Sequence, residues 1–543
     1  MKKNFLILLA IVFLGLALRI YQLDTVPPSA SLDEASIGWN AYSILYTGKD
    51  EYGYKFPILL RAYDDWRPAF YVYLVIPFIK LLGLNVWAVR LPSIILSTLS
   101  IFSAFYLIKS LFISYKEKEK IALLSSLFLA ISPWSIYISR LGHETNAGFA
   151  FGIFAVTFFL LFINSLKKRY IYFSSIFLAL SFYAYQSEKV FIPLFSLILV
   201  FLFRKELLRN KKHLFFAFLI GFIILIPVLK STFSQEGLSR FKGTSVYDVN
   251  APDFFQASLV RRDARARGDL LTEIKNNNRI IYLRIVSKNY ISHFNPIWLF
   301  TDGVSSDFKA PGSGLLNLFQ LPLILLGLIY LFKRFNKSVI IFIVAWLLIS
   351  PMAAAITTGS PHAMRSYSFL PIWQILGALG SVYIINLIKN NFFKKTAIII
   401  MSILVITNCF YFLRQYFIFF PRQDSISFQY ALSQAIPYVL KNERSYKKIV
   451  ISNRRNLYQS YMFFLFYSKF DPVLYQRLGG TNSGGYDITH AFLKYEFRPI
   501  LSIDEEKDVL YIRNFINLPK EMKIVRSFNS LNGEKAVIAV VRK

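Results

Sequence analysis

The sequence predicts an α-helical protein that crosses a membrane about eleven times and carries a small α/β domain at its C-terminal end. Of its 543 residues, 55% are hydrophobic and only 17% are charged, which is too little polar surface for a soluble protein of this length. Apolar runs of membrane-helix length recur between residues 5 and 418, whereas residues 420–543 mix short apolar strands with polar turns.

Eleven apolar segments have a length and composition that suit spanning helices. They are residues 5–23, 92–113, 121–140, 146–165, 170–186, 190–203, 213–230, 316–332, 338–356, 367–388 and 396–418. The first of them follows Lys2 and Lys3 and has no clear cleavage site after it, so we expect an uncleaved helix whose N-terminus stays in the cytoplasm.

A twelfth apolar run, residues 69–83, is short and contains Pro77 and Lys80. If this run does not span, the short basic clusters all fall on the same side as the N-terminus, as the positive-inside rule requires. These clusters are residues 114–120, 167–169, 204–212, 333–337 and 389–395. We therefore predict a juxtamembrane helix at 69–83 on the outer face, together with outer loops at 24–91 and 231–315.

The net charge of +31 does not indicate a nucleic-acid partner, because the basic residues form short clusters between apolar runs rather than one basic face. They are better explained as markers of cytoplasmic loops. The only cysteine, Cys409, lies within an apolar run, so neither a disulfide framework nor a cysteine metal site is expected.

The chain divides at residue 419 into a transmembrane domain, 1–419, and an extracytoplasmic α/β domain, 420–543. In the second domain the pattern predicts helices near 428–440 and 457–470, strands at 447–452, 509–513 and 522–528, and a hairpin turn at Asn532-Gly533. No glycine-rich phosphate loop is present in the sequence, so a nucleotide substrate is not indicated.

Under this topology, polar side chains collect at the outer ends of the helices. They are Asp33, Glu34, Arg90, Arg140, His143, Glu144, Asn146, Tyr185, Gln186, Glu188, Lys189, His362, Arg365 and Tyr367. Ionisable groups at membrane depth are costly unless they face a cavity or one another. A carboxylate can act as general base on a hydroxyl, and Arg or Lys can neutralise a phosphate. The alternative is that the basic residues anchor helices to headgroups and that Asp33-Glu34 merely begins a surface helix.

Three features together resemble the GT-C glycosyltransferases: the acidic pair after the first helix, "WRPAFYVY" at 66–73 and "W-x-x-R-L-P-S" at 87–93. The nearest branch holds the protein O-mannosyltransferases and lipid A aminoarabinose transferases, and the resemblance covers mainly residues 1 to about 190. It implies a GT-C-type fold and transfer of a sugar from a polyprenyl-phosphate carrier. No cofactor is certain.

The resemblance implies that Asp33 is the general base and that Glu34 orients it or the acceptor. Arg90 would contact the site, and Arg67 stands where the aminoarabinose branch has a phosphate-binding lysine. Lys189, His362 and Arg365 are further candidates for phosphate binding. Where relatives often carry a second acidic residue, this chain has "HET", so His143 and Glu144 form a candidate second acidic site. A divalent metal ion bound by Asp33, His143 and Glu144 is an alternative.

The predicted function is inverting transfer of a hexosyl or pentosyl sugar to a hydroxyl of a protein, lipid or glycan acceptor. The reaction would take place on the outer face of the plasma (inner) membrane. A transporter or flippase of lipid-linked sugar is the main alternative. It would need polar residues near the bilayer midplane, often within repeated, broken helices, and the sequence shows no such repeat or cluster.

Overall fold

The structure is a computed structural model that describes residues 2–248, 251–302, 308–485, 488–500, 508–515 and 522–542. Most of these residues are helical. In chain order the first helices are α1 (Lys2–Ile20), α2 (Leu32–Thr47), α3 (Phe70–Leu82), α4 (Val86–Leu111), α5 (Lys118–Ala130), α6 (Pro133–Ser139), α7 (Glu144–Ser165), α8 (Arg169–Ala184), α9 (Glu188–Leu202), α10 (Arg204–Arg209), α11 (Lys211–Thr232) and α12 (Gln235–Thr244).

The remaining helices are α13 (Pro252–Ala266), α14 (Leu270–Lys275), α15 (Asn278–Ser292), α16 (Pro296–Phe300), α17 (Gln320–Arg334), α18 (Lys337–Ile349), α19 (Met352–Ala355), α20 (Leu370–Leu387), α21 (Asn391–Arg414), α22 (Phe420–Asp424), α23 (Tyr430–Asn442), α24 (Ser460–Ser468) and α25 (Pro472–Arg477). The strands are β1 (Leu59–Ala62), β2 (Asp65–Pro68), β3 (Lys448–Ile451), β4 (His490–Phe492), β5 (Tyr495–Phe497), β6 (Val509–Asn514), β7 (Met522–Asn529) and β8 (Lys535–Arg542).

Each of the eleven predicted apolar segments coincides with a helix. By length and composition, the described residues contain seven helices able to cross a membrane, and the bent pair α5 and α6 would make an eighth. The other three segments form α8, α9 and α17, which have 16, 15 and 15 residues and are slightly short for a bilayer. The multi-pass architecture is confirmed, and the count of eleven stays a prediction.

Two segments near the N-terminus differ in how well the sequence predicted them. The short apolar run at 69–83 forms α3, whose 13 residues are too few to span, as expected. Helix α4 begins at Val86, six residues before the predicted start at 92, because the Asn85 side chain accepts the backbone N–H of Ala88 at 2.9 Å and caps the helix. Arg90 therefore lies inside α4 rather than before it.

The chain folds into two compact units, neither of which is continuous in sequence. The first contains residues 1–12, 99–135 and 148–408, and the second contains residues 13–98, 136–147 and 409–543. The predicted division into residues 1–419 and 420–543 stays a prediction, because the second unit combines residues from 409 onward with two earlier segments. The second unit also includes the loop that carries the acidic pair.

The C-terminal segment of the second unit contains a six-stranded sheet of order β4-β5-β3-β6-β8-β7. Strand β3 pairs in parallel with β5 and β6, and the other pairings are antiparallel. The predicted helices and strands are confirmed as α23, α24, β3, β6 and β7, and Gly533 adopts a positive φ of 91° in the β7–β8 turn. Strands β4 and β5 were not predicted.

Candidate functional site

The acidic pair begins α2, and the helix start fixes its geometry. The Ser31 hydroxyl accepts the backbone N–H of Glu34 at 3.2 Å, while the Glu34 carboxylate accepts the backbone N–H of Ser31 at 2.8 Å. This reciprocal pair is a capping box, which satisfies two of the N–H groups left over at a helix start. Asp33, at the second position of α2, keeps its side chain 49% exposed.

Glu34 is buried and is held by Arg90. The Arg90 Nε and Nη2 atoms donate to the two Glu34 oxygens at 2.7 and 3.1 Å, and the backbone N–H of Gly142 donates to Oε1 at 2.8 Å. Burial alone would raise the pKa of Glu34, but the charge and hydrogen bonds of Arg90 lower it overall. Glu34 is therefore a buried, ionised anchor between α2, α4 and the segment before α7.

The remaining N–H groups of Arg90 bind the loop that leads to Asp33. They donate to the backbone carbonyls of Leu23, Pro27 and Ser29 at 2.7–3.2 Å. Every guanidinium N–H of Arg90 thus has an acceptor within the protein. The predicted contact of Arg90 with a substrate phosphate stays a prediction, and the geometry gives this residue a definite positioning role.

Arg140 binds the preceding segment in a similar way. Its terminal nitrogens donate to four carbonyls between residues 18 and 26 at 2.6–3.2 Å, in the region where α1 ends and its last carbonyls lack helical partners. Its guanidinium also lies 5.5 Å from the ring centroid of Tyr416 and 4.9 Å from that of Phe417. Arg90 and Arg140 together fix the backbone from the end of α1 to the start of α2.

Arg67 is the basic residue that touches Asp33. It lies on β2, opposite Leu60 of β1, and it is only 3% exposed. Its Nη1 atom donates to Asp33 Oδ1 at 3.1 Å, whereas its Nε and Nη2 atoms are buried without a hydrogen-bond partner. Burial opposes the charge of Arg67, but the carboxylates of Asp33 and Glu144 raise its pKa. A buried arginine with two unused donors is suited to bind an anion.

His143 and Glu144 complete the polar cluster. His143 Nε2 lies 3.7 Å from Asp33 Oδ2, and His143 Nδ1 lies 3.5 Å from Glu144 Oε2. The backbone N–H of Thr145 donates to His143 Nδ1 at 3.2 Å. The structure therefore brings Asp33, Arg67, His143 and Glu144 together in the second unit, and the roles predicted for them stay predictions.

The alternative of a metal ion on Asp33, His143 and Glu144 does not fit this geometry. Within the described ranges, no group of three or more His, Cys, Asp or Glu side chains is arranged to hold a metal ion. In addition, Asp33 Oδ1 is occupied by the Arg67 guanidinium, and a cation next to a carboxylate disfavours a second cation on the same atom.

The other predicted basic residues lie in the first unit. Lys189 and Arg365 line a cavity of about 270 Å³ together with Arg240 and apolar side chains. Lys189 Nζ donates to the Thr232 hydroxyl at 2.9 Å. The backbone N–H of Arg365 donates to Nδ1 of His362 at 3.3 Å. Three cations and an apolar wall suit an anionic headgroup that carries a hydrocarbon chain.

Two further residues of the second unit were missed in the sequence. Glu51 is fully buried, and its only sequence signal is a second acidic pair, Asp50-Glu51, shortly after α2. Tyr458 comes from the C-terminal segment, and burial together with the charge of Asp33 raises its pKa. No local pattern could have indicated that a residue 425 positions later would lie within the electrostatic reach of Asp33.

Comparison with protein families gives one match. Residues 67–230, a minority of the chain, match the family described as dolichyl-phosphate-mannose-protein mannosyltransferase. The match begins at Arg67 and includes α3 and α4, so it covers part of the cluster described above. A comparison with curated protein sequences finds no significant match.

Comparison with solved structures gives likenesses along most of the chain. ArnT from Cupriavidus metallidurans bound to undecaprenyl phosphate has a TM-score of 0.50 and 10% identity, with 99% of this chain and 97% of that chain covered. The oligosaccharyltransferase of Archaeoglobus fulgidus tethered to an acceptor peptide has a TM-score of 0.51 and 13% identity. The chain has a GT-C-type fold. The resemblance inferred from the sequence is thereby confirmed at the level of the fold.

The oligosaccharyltransferase is larger than this chain. The alignment covers 86% of this chain but only 63% of the oligosaccharyltransferase, so a part of that enzyme has no counterpart here. At 10–13% identity the likeness establishes the fold, and the chemistry has to be argued from the site.

Proposed function

We propose that the chain transfers a sugar from a polyprenyl-phosphate carrier to an acceptor hydroxyl on the outer face of the plasma membrane, in one inverting step with Asp33 as general base. The observation that carries the proposal is the contact between half-exposed Asp33 and buried Arg67 in a chain of GT-C-type fold. One group can take a proton and the other can bind a phosphate, and the two are adjacent.

Asp33 is accessible and ordered, as a general base must be. Its carboxylate takes the proton of the acceptor hydroxyl while the acceptor oxygen attacks the anomeric carbon. The bond between that carbon and the carrier phosphate breaks, and its electron pair leaves with the phosphate oxygen. Glu34 does not compete for this role, because it is 1% exposed and is engaged by Arg90.

Arg67 is the proposed partner of the leaving phosphate. The Nε and Nη2 atoms of Arg67 are buried without acceptors, and each such unsatisfied group lowers the free energy of unfolding by roughly 1–3 kcal/mol. A phosphate oxygen would supply the missing acceptor and would gain charge as the bond to the sugar breaks. Donors that are already in place where charge develops stabilise the transition state without reorganisation.

Lys189, His362 and Arg365 are proposed to contact the carrier in the first unit. The cavity lined by Lys189 and Arg365 offers positive charge beside apolar side chains, which matches a phosphate on a polyprenyl chain. ArnT of Cupriavidus metallidurans was solved with undecaprenyl phosphate, and the matched family is named for a dolichyl-phosphate-mannose donor. We propose a donor of the same chemical class here, with a hexosyl or pentosyl sugar and a protein, lipid or glycan acceptor.

The proposal is tested by transfer of radiolabelled sugar from membranes that contain polyprenyl-phosphate sugars. The purified wild type is compared with Asp33→Asn and with the control Asp64→Asn, since Asp64 is similarly exposed (54%) and pairs with the partly exposed Arg61. We expect Asp64→Asn to transfer label like the wild type and Asp33→Asn to lose at least about a hundredfold in rate.

Two results would contradict the proposal. Transfer by Asp33→Asn at the wild-type rate would remove the base assignment. If the wild type moves no label but carries lipid-linked sugar across liposome membranes, the chain is a transporter rather than a transferase.

A further inference from the structure

A second carboxyl group lies buried in the outer loop, apart from the Asp33 cluster. Glu51 follows α2 and is completely inaccessible to solvent, and within the described residues it forms no ion pair. Burying a carboxyl without a cation costs free energy unless hydrogen bonds compensate it. Its position therefore has to be explained by the groups around it.

Glu51 is held from two directions by hydrogen bonds. On one side is Asn40 of α2, whose Nδ2 donates to Glu51 Oε1 at 3.1 Å and whose Oδ1 accepts the Glu51 N–H at 2.8 Å. On the other side, the hydroxyls of Tyr461 and Thr481 donate to Glu51 Oε2 at 2.9 and 3.0 Å. The backbone N–H of Thr481 also donates to the Glu51 carbonyl at 2.9 Å.

The C-terminal side of this cluster is rigidly built. The hydroxyl of Tyr475 is 2.8 Å from that of Thr481. Gly480 has a φ of 64°, and a Cβ atom there would lie 2.8 Å from the Glu51 carbonyl oxygen. Both the backbone conformation and the close approach favour glycine at this position. The turn before Thr481 is thus fitted to Glu51 rather than placed near it by chance.

The α2 side of the cluster leads directly to the proposed base. Asn40 is seven residues after Asp33, two turns along the same helix and on the same face. A helix transmits a displacement along its length because its backbone is hydrogen-bonded throughout. If the contacts of Glu51 loosen, α2 can shift and the position of Asp33 relative to Arg67 shifts with it.

We propose that Glu51 is a positioning residue that locks α2 to residues 460–481 of the C-terminal segment and thereby sets the geometry of Asp33 for transfer. The inference rests on the proposed function, because it assigns the C-terminal segment a part in the same reaction. Asn40, Tyr461 and Thr481 are the contacts through which the coupling acts. None of these residues needs to touch the substrate.

The test uses Thr481→Val, which keeps the shape of the side chain and removes the hydroxyl, and Thr481→Ser, which restores the hydroxyl. Tyr461→Phe removes the other donor to Glu51. For each full-length variant we measure kcat and KM for the lipid-linked donor, thermal unfolding, and hydrogen exchange of the amides of residues 32–47.

We expect Thr481→Val and Tyr461→Phe to lower kcat at least about tenfold with KM changed less than about twofold, because misplacing a catalytic group affects the reaction step. Exchange in α2 should rise in both variants, and Thr481→Ser should recover both readouts. Faster α2 exchange with unchanged kcat would overturn the positioning role and leave the transferase intact. Unchanged hydrogen exchange in α2 would overturn the coupling between α2 and residues 460–481. This measurement does not depend on whether the chain is a transferase.

Discussion

Replacing Arg90 by methionine should destabilise the second unit more than any substitution of a surface charge does. Arg90 is fully buried, and it neutralises Glu34, which is 1% exposed. Methionine fills much of the same volume but leaves the Glu34 carboxylate buried with no counter-charge, although the N–H groups of Ser31 and Gly142 still donate to it.

The expected cost is about 3–5 kcal/mol, which is the usual range when one partner of a buried ion pair is removed. That is a large part of the roughly 5–15 kcal/mol by which a folded domain is stable. The matched control is Arg61→Met, since Arg61 pairs with Asp64 at 3.6 Å with both side chains partly exposed. Such surface pairs contribute about 1 kcal/mol or less.

The assay is a double-mutant cycle measured by denaturant unfolding in detergent, with Arg90→Met, Glu34→Gln and the two combined. If the pair is coupled as the contacts indicate, the double variant is more stable than the sum of the single effects predicts. Because Arg90 lowers the pKa of Glu34, its contribution is present above the ordinary value of 4.5 and is lost as the pH falls below it. A cost under about 1 kcal/mol for Arg90→Met, or strictly additive effects, would refute the reasoning.

Three further outcomes are expected. Arg67→Lys keeps the charge but loses the planar donor set, so the transfer rate should fall about ten- to a hundredfold. The control Arg61→Lys should transfer like the wild type. If Arg67→Lys also transferred at the wild-type rate, Arg67 would not bind the phosphate. Burial raises the pKa of Glu51 from 4.5 to about 7, so the free energy of unfolding should fall by up to roughly 3 kcal/mol as the pH rises through this range. The free energy of unfolding of Glu51→Gln should not show this dependence on pH. The transfer rate should not change when divalent cations are removed by a chelator. A rate that is lost with the chelator and restored by a divalent cation would instead support a metal ion on Asp33, His143 and Glu144.

The features that the sequence predicted are those set by local patterns. Apolar runs of sufficient length can only be satisfied as helices in a bilayer, so all eleven segments appeared as helices. The length of residues 69–83 correctly predicted a helix too short to span. In the C-terminal segment the apolar strand at 447–452 and the Asn-Gly turn at 532–533 were sufficient to place β3 and the β7–β8 hairpin.

The features that escaped prediction depend on contacts between distant residues. Strands β4 and β5 have only three residues each, too few for a periodic signal, and they form because β5 pairs with β3 and β4 pairs with β5. The partner of Glu34 is 56 residues away and lies inside α4. Glu51 looks like an ordinary loop carboxylate until Tyr461 and Thr481 are brought against it from 410 and 430 residues further along the chain.

The adjacent carboxylates Asp33 and Glu34 can now be assigned different tasks on physical grounds. Successive residues of an α-helix point about 100° apart, so Asp33 and Glu34 meet different surroundings. Glu34 faces inward, where Arg90 and the capping box hold it, and the same rotation turns Asp33 toward solvent and Arg67. The buried neighbour fixes the helix so that the exposed neighbour is presented at a constant angle. An acid at each position is therefore needed for a separate reason, and exchanging Glu34 for a neutral residue should disturb transfer through the position of Asp33 rather than through the loss of a second base.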